Sequence, residues 1–295
     1  MESNTILYWA DCREILSRMD DNSVDTAFLD PQYGTGNLAN KTPKYDQSAY
    51  MASRRWDAFH AAWDAKPDSL FIYQWLYELR RVLKPRGSAW ICGTFHNIPT
   101  TAKLAEQIGF YTIQWCQWII PNAMPHLAGM KMANCNQTLL WLRKDESPAH
   151  RYNYQRAKAW NKGKNLRDFW QLTYTEEEWE QFFLGLHESW VVVNNSAHAA
   201  HEMPALTQFK AKKPYALVAR CLDLTLPDDA PSVALDCFAG SGTTGAVCQR
   251  INTFVPIPRE YPIQCVLVEK SKANIDQFIT PRLNVQAIVG PGGGD

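Results

Sequence analysis

Strand-like and helix-like patterns alternate along almost the whole chain, and that alternation limits the fold more than any other feature. Residues 4–10 (NTILYWA) read as a short strand, with Asp11 at the N-cap position before CREILSRM. Residues 24–29 (VDTAFL) read as a buried strand that stops at Asp30-Pro31. In residues 69–83, Leu70, Tyr73, Leu76, Tyr77, Leu79, Val82 and Leu83 mark one face of a predicted helix, which Lys84-Pro85-Arg86-Gly87 ends. Further strands are predicted at 88–93, 113–120, 137–142, 233–235 and 265–268. Helices are predicted at 100–108, 215–224 and 243–251. Strands separated by helices imply an α/β fold, with a mainly parallel sheet covered on both faces. Residues 34–66 are polar and weakly periodic, which predicts a loop. The terminal GPGGGD predicts a flexible tail.

Composition excludes several classes. With 295 residues, 46% apolar and 20% charged, the chain has ample material for a core. No run approaches the ~20 apolar residues of a membrane-spanning helix, so no membrane partner is expected. The first residues carry neither a basic nor an apolar leader region. The eight cysteines contain no Cys-x-x-Cys pair. Both features predict reduced core cysteines in a cytoplasmic protein. Thirty basic and thirty acidic residues balance, which excludes a protein that coats nucleic acid by bulk charge but not one with a local basic patch. His198, His201 and Glu202 form no zinc-peptidase pattern and lack a third ligand by spacing, so no metal is expected. Trp115, Trp118 and Trp141 are expected in the core.

Two strand-end motifs carry the chemistry. Asp236-Cys237-Phe238-Ala239-Gly240-Ser241-Gly242-Thr243-Thr244-Gly245 follows an apolar strand and opens a helix. Glycines there let the backbone turn tightly and approach a ligand, and amides at the helix start favour an anionic group. Glu269 ends the next apolar strand, where an acid that binds ribose hydroxyls belongs. Only about fifty residues follow this motif, so the remaining strands come from the N-terminal half. That order argues against a nicotinamide enzyme of ordinary chain order, and a nicotinamide or flavin oxidoreductase using GSGTTG is the second enzyme class that the motif allows. The second motif is Asp30-Pro31-Gln32-Tyr33. Asp30 and the Pro31 carbonyl can accept two hydrogen bonds from an exocyclic amine while Tyr33 stacks on its ring.

One segment breaks the rhythm. Residues 151–167 (RYNYQRAKAWNKGKNLR) carry Arg151, Arg156, Lys158, Lys162, Lys164 and Arg167 with no acid, interleaved with Tyr152, Tyr154 and Trp160. Basic residues among aromatics suit a nucleic-acid surface. The other reading is a solvated insertion.

Taken together, these motifs resemble the β-class S-adenosylmethionine-dependent DNA amino-methyltransferases, the N6-adenine/N4-cytosine family. The resemblance lies in the order of the two motifs, the reverse of the usual one, and in several segments between them. These include Ser23-Val24-Asp25, Arg81-Val82-Leu83-Lys84-Pro85, residues 93–98 (GTFHNI), 118–123 (WIIPNA), 140–144 (LWLRK) and Lys213-Pro214. Gln32 departs from the family's second proline. The resemblance implies a circularly permuted, doubly wound seven-stranded Rossmann-like sheet. In it, residues 1–144 form a catalytic half, 145–205 a target-recognition insertion, 206–285 the S-adenosylmethionine-binding half and 286–295 a flexible tail.

The same resemblance implies methyl transfer to the exocyclic N6 of a flipped-out adenine in double-stranded DNA. N4-cytosine methylation, or a DNA-binding regulator of the same fold with little turnover, are the alternatives. Asp30, Pro31 and Tyr33 would be catalytic. S-adenosyl-L-methionine would be held by Asp11, Cys12, Asp30, Lys213, Asp236, Phe238, Ala239, Gly240, Ser241, Gly242, Thr243, Thr244 and Glu269. Asp11 is equally read as a plain N-cap, and Lys213-Pro214 as an ordinary helix start. DNA would meet the six cations of residues 151–167 and Lys41, Lys44, Arg54 and Arg55 of the loop. Relatives of this class often pair, so a homodimer is an expectation, as is association with the nucleoid. The absence of any Pro-Cys pair excludes the covalent mechanism of carbon-5 cytosine methyltransferases.

Overall fold

The computed structural model describes residues 4–34, 64, 66–120, 132–146, 149–171, 209, 212–253 and 260–291. Its elements in chain order are β1 (Thr5–Trp9), α1 (Cys12–Leu16), β2 (Val24–Leu29), α2 (Ser69–Val82), β3 (Leu83–Gly93), α3 (Ile98–Ile108), β4 (Tyr111–Ile119) and β5 (Asn136–Arg143). Next come α4 (Tyr154–Trp160), β6 (Phe169–Gln171), α5 (Tyr215–Thr225), β7 (Ser232–Asp236), α6 (Thr243–Thr253) and β8 (Ile263–Glu269). A helical stretch, α7 (residues 272–283), contains a π-turn at Ile275–Ile279, and β9 (Ala287–Val289) follows it.

Among the described residues the strands form one sheet in the order β6-β4-β5-β3-β2-β7-β8-β1-β9. Only β5 runs against its neighbours, β3 and β4; the other pairings are parallel. A parallel sheet needs cover on both faces, and its central strands are accordingly apolar throughout. In β2, Thr26 to Leu29 are all buried. One face is covered by α1, α2 and α3 around Trp75, Leu76 and Leu79. The other is covered by α5 and α6 around Leu217, Leu222 and Val247. On that face Trp90 stacks on Trp141, with ring centroids 4.4 Å apart. Such a pair contributes ~0.5–1.5 kcal/mol beyond its burial.

The expected strands and helices are present, with local corrections. The seven expected strands are joined by two short edge strands, β6 and β9. β9 pairs with β1 through Leu7↔Ala287 to Trp9↔Val289, so residues 287–289 belong to the sheet and not to a tail. In α2 the buried face is Ile72, Trp75, Leu76, Leu79 and Val82. Leu70, Tyr73 and Tyr77 are exposed instead, and the two tyrosines stack on each other outside. Both faces of this helix carry large apolar side chains, and contact with the sheet selects between them. Trp118 and Trp141 are core, whereas Trp115, which alternates with the buried Cys116 and Trp118 along β4, is 43% exposed.

β3 begins at Leu83, five residues before the expected start. Leu83 pairs with Val24, residues 84–87 bulge, and regular pairing resumes at Thr26↔Ser88. The first part of the expected insertion also belongs to the main body. β6 extends the sheet beside β4, and α4 packs on α5, where the Asn153 amide donates to the carbonyls of Asp223 and Leu226. No described helix is long and apolar enough to cross a membrane. Seven cysteines are buried and none is bonded to another; Cys135 is exposed.

Candidate active site

The two strand-end motifs meet because β2 and β7 are neighbours, paired in parallel at Thr26↔Ala234 and Ala27↔Leu235. After β2 the chain turns towards β3, and after β7 towards β8, so the strand order reverses between them. Open α/β sheets bind ligands in the crevice at such a point, beyond the carboxyl ends of the strands. Asp30 directly follows β2, and the glycine loop directly follows β7.

The glycine loop is built from within. The Asp236 carboxylate accepts the Phe238 amide at 3.0 Å and the Thr244 hydroxyl at 2.6 Å. Burial pushes this carboxyl up to about 7, against the opposing pull of those two donors. Gly240 and Gly242 sit at φ +54° and +77°, where a side chain is strained. A Cβ on Gly245 would lie 2.6 Å from Leu283 and 2.8 Å from Leu267, so the bare backbone lets α6 settle against β8 and α7. Ser241, Thr243 and Thr244 are buried. Arg282 donates to the Ser241 carbonyl and the Thr243 hydroxyl. Glu269 accepts the Gly240 amide at 2.8 Å through one oxygen, and the Ser271 amide and Asn274 side chain through the other. Burial raises its carboxyl as well. Asp236, Ser241, Thr243 and Thr244 therefore shape the loop from inside. Gly240, Phe238 and Glu269 are partly exposed at the end of the strands, Gly242 turns against Ile279 and Leu283, and Phe238 packs edge-on against Trp75. A side-chain-free backbone at a helix start with an acid on the next strand fits a ligand that has a ribose and a charged tail, as S-adenosylmethionine has.

Asp30 lies across the crevice from that loop. Its Oδ1 accepts the Tyr33 hydroxyl at 2.8 Å, and its Oδ2 accepts the Lys213 ammonium at 2.5 Å. The Tyr33 hydroxyl also lies 3.1 Å from the Gln137 side-chain oxygen, and the Lys213 ammonium 5.2 Å from the centre of the Tyr33 ring. Burial and the Asp30 charge both push the Tyr33 phenol well above its ordinary range, so it stays a donor. The turn after Tyr33 is tied down by Asp64, whose carboxylate accepts the amides of Tyr33 and Gly34 at 2.7 and 3.1 Å. Pro31 is buried. Gln32 lines a crevice with Phe71, Trp75 and Asn97 between the motif and α2 and α3.

Asp11 and Cys12 stand beside the end of β8, where Ala10 donates to the Glu269 carbonyl. Asp11 caps α1 through the Arg13 amide, and its oxygens also take the Arg13 guanidinium and the Lys270 ammonium. Bonds from Arg13 hold its carboxyl down at about 2. The cap reading is what the geometry shows for Asp11. Cys12 is buried against Cys237.

The basic segment divides in two. Arg151 pairs with Asp229, and Arg156 with Asp223 and Asp228. These two cations meet acids of the α5 end instead of facing outward together with the others, a correction to a uniform DNA-facing row. Lys162, Lys164 and Arg167 are exposed, and the Lys158 ammonium lies over the Tyr154 ring. Lys41, Lys44, Arg54, Arg55, His198, His201 and Glu202 lie outside the described residues. Among the described residues no cluster of His, Cys, Asp and Glu could hold a metal ion.

Sequence reasoning missed Gln137, Asp64 and the partner of Lys213. A glutamine inside the apolar run TLLWL's strand was the one available signal for Gln137. Nothing local marks Asp64.

Comparison with known proteins agrees with this geometry. The profile of the N6/N4 DNA methylase family matches residues 24–279. The Type II methyltransferase M2.LlaDCHI of Lactococcus lactis subsp. cremoris is 31% identical over 265 residues, 88% of this chain and 86% of that protein. M2.DpnII of Streptococcus pneumoniae is 30% identical with the same coverage. Among solved structures, the PvuII DNA methyltransferase (cytosine-N4-specific) superposes with a TM-score of 0.64 at 14% identity, covering 97% of this chain and 88% of that one. The M1.HpyAVI complex with S-adenosylmethionine does so at 0.59 and 18% identity, covering 95% of this chain and all of the other. The chain belongs to the N6/N4 family of DNA methylases, the S-adenosylmethionine-dependent enzymes that its motif order resembles.

Proposed function

We propose that this protein transfers a methyl group from S-adenosylmethionine to the exocyclic N6 amine of an adenine flipped out of double-stranded DNA. The observation that carries the reading is the Asp30 carboxylate, held beside the Tyr33 ring and across the crevice from the glycine loop. Gly240, Gly242, Phe238 and Glu269 would hold the cofactor, which supplies an electrophilic methyl group. The lone pair of an exocyclic amine is delocalised into its ring, so the amine is a poor nucleophile. Hydrogen bonds from the amine to Asp30 and to the Pro31 carbonyl favour a tetrahedral nitrogen and fix its direction. Tyr33 replaces stacking lost on flipping, worth ~1–3 kcal/mol per base. None of these steps needs a covalent enzyme nucleophile.

The Asp-first motif favours adenine over cytosine. DNA is met by Lys158, Lys162, Lys164 and Arg167, together with Lys41, Lys44, Arg54 and Arg55. The test is to incubate purified protein with unmethylated DNA and methyl-labelled S-adenosylmethionine, then digest and identify the labelled nucleoside by mass spectrometry. Label in N6-methyladenine is the expected result. Label in N4-methylcytosine replaces the target base, and no label on any base, with cofactor binding shown separately, overturns the reaction.

A further inference from the structure

We propose that Lys213 is a positioning residue for the reacting carboxylate and not a holder of the cofactor's tail; this rests on the reading of Asp30 as the acceptor for the amine. Lys213 precedes α5 in the C-terminal half of the chain, whereas Asp30 ends β2 in the N-terminal half. The ammonium nevertheless lies 2.5 Å from Asp30 Oδ2. Its side chain is only 9% exposed and that of Asp30 21%, so this is no solvated surface pair of small worth. Hydrogen bonds between an ammonium and a carboxylate are among the stronger ones.

The two contacts on Asp30 are complementary. Tyr33 fixes Oδ1 and Lys213 fixes Oδ2, so rotation of the carboxylate plane breaks both. The Gln137 side-chain oxygen lies 3.1 Å from the Tyr33 hydroxyl on the β5 side, and the Lys213 ammonium sits near the face of the same ring. An ionised carboxylate has about four acceptor sites, and two are taken here, which leaves room for the amine N–H. The plane in which those remaining sites lie is the one that Tyr33 and Lys213 impose. Lys213 thus aligns the acceptor on one half of the permuted fold from a segment of the other half.

The decisive measurement is single-turnover methylation at saturating S-adenosylmethionine and DNA, alongside cofactor affinity by calorimetry, for wild type, Lys213→Met and Lys213→Arg. A displaced reacting group costs on the order of 10²-fold in rate. Lys213→Met is expected to lose about 10- to 100-fold in rate while cofactor affinity stays within about threefold. Lys213→Arg keeps the charge with a different reach, and an intermediate rate with unchanged affinity is expected. A wild-type rate in whichever variant folds overturns the proposal. So does a loss of cofactor affinity as large as the loss of rate, which would make Lys213 a cofactor contact. Failure of the underlying reading is separate, because it shows as wild-type protein that transfers no methyl group.

Discussion

The two sides of the crevice are built in opposite ways. The glycine loop draws its hydrogen bonds from the C-terminal half of the chain: Asp236 holds Phe238 and Thr244, Glu269 holds Gly240, and Arg282 holds Ser241 and Thr243. The Asp30 side is assembled from four separate places in the chain, with Lys213, Gln137 and Asp64 converging on Asp30-Pro31-Gln32-Tyr33. A loop whose own acid and its sequence neighbours satisfy its buried polar groups suits a binding cradle. A site stitched together across the fold reports on the whole fold, which suits a group whose angle decides reactivity.

The sharpest way to break this contrast is at Asp236. Asp236→Leu leaves the Phe238 amide and the Thr244 hydroxyl buried without partners, at about 1–3 kcal/mol each. Denaturant unfolding is expected to show a loss of several kcal/mol, and cofactor binding should fall with it. Asp236→Asn keeps a carbonyl for Phe238 and tests the charge alone. The Asp236 carboxyl titrates at about 7 in the folded protein, well above an unfolded aspartate. The folded state therefore binds the extra proton between those values, and ∂ΔG/∂pH of unfolding is negative there. This contribution is full below the unfolded value near 4 and is lost as pH rises through 7. Wild type should lose stability between pH 5 and 8 by an increment absent from Asp236→Asn. An identical slope in both proteins would remove Asp236 as its source.

A smaller effect is expected at Tyr33, on the other side. Tyr33→Ala removes the stacking face and should lower kcat/KM for DNA about 10- to 100-fold, with cofactor affinity unchanged. Tyr33→Phe removes only the hydroxyl that donates to Asp30 and should cost about 1 kcal/mol, roughly fivefold in rate. Equal losses in the two variants would mean that the hydroxyl, and not the ring face, carries the effect. The smallest effect is expected at the surface. Neutralising Lys162 and Lys164 together should weaken DNA binding and flatten its salt dependence by about one to two phosphate contacts. An unchanged salt slope would take this segment out of the interface.

What was legible in the sequence follows the same division. The strand–loop–helix at residues 232–253 was readable because its determinants are local: glycines at positive φ, a buried acid, and a helix that starts at Thr243. The order of the motifs gave the permuted sheet. The strand β5 was readable but its antiparallel direction, set by pairing with β4 and β3, was not, and the three-residue edge strands β6 and β9 depend on partners about fifty or more residues away. The buried face of α2 was misassigned because Tyr73 and Tyr77 are as apolar in pattern as Ile72 and Trp75, and only packing against the sheet distinguishes them. Arg151 and Arg156 read as part of one basic row because their partners, Asp223, Asp228 and Asp229, lie about seventy residues away. Asp30 was legible as a reacting group, but the side chains that aim it were not.

The most direct test of the division of labour across the crevice is Asp30→Ala. Methyl transfer to DNA and S-adenosylmethionine affinity are measured on the same preparation. The expected result is loss of methylation with cofactor affinity within a few fold of wild type, since the glycine loop needs nothing from Asp30 to hold its shape. Normal methylation by this variant would contradict the assignment of the reacting site.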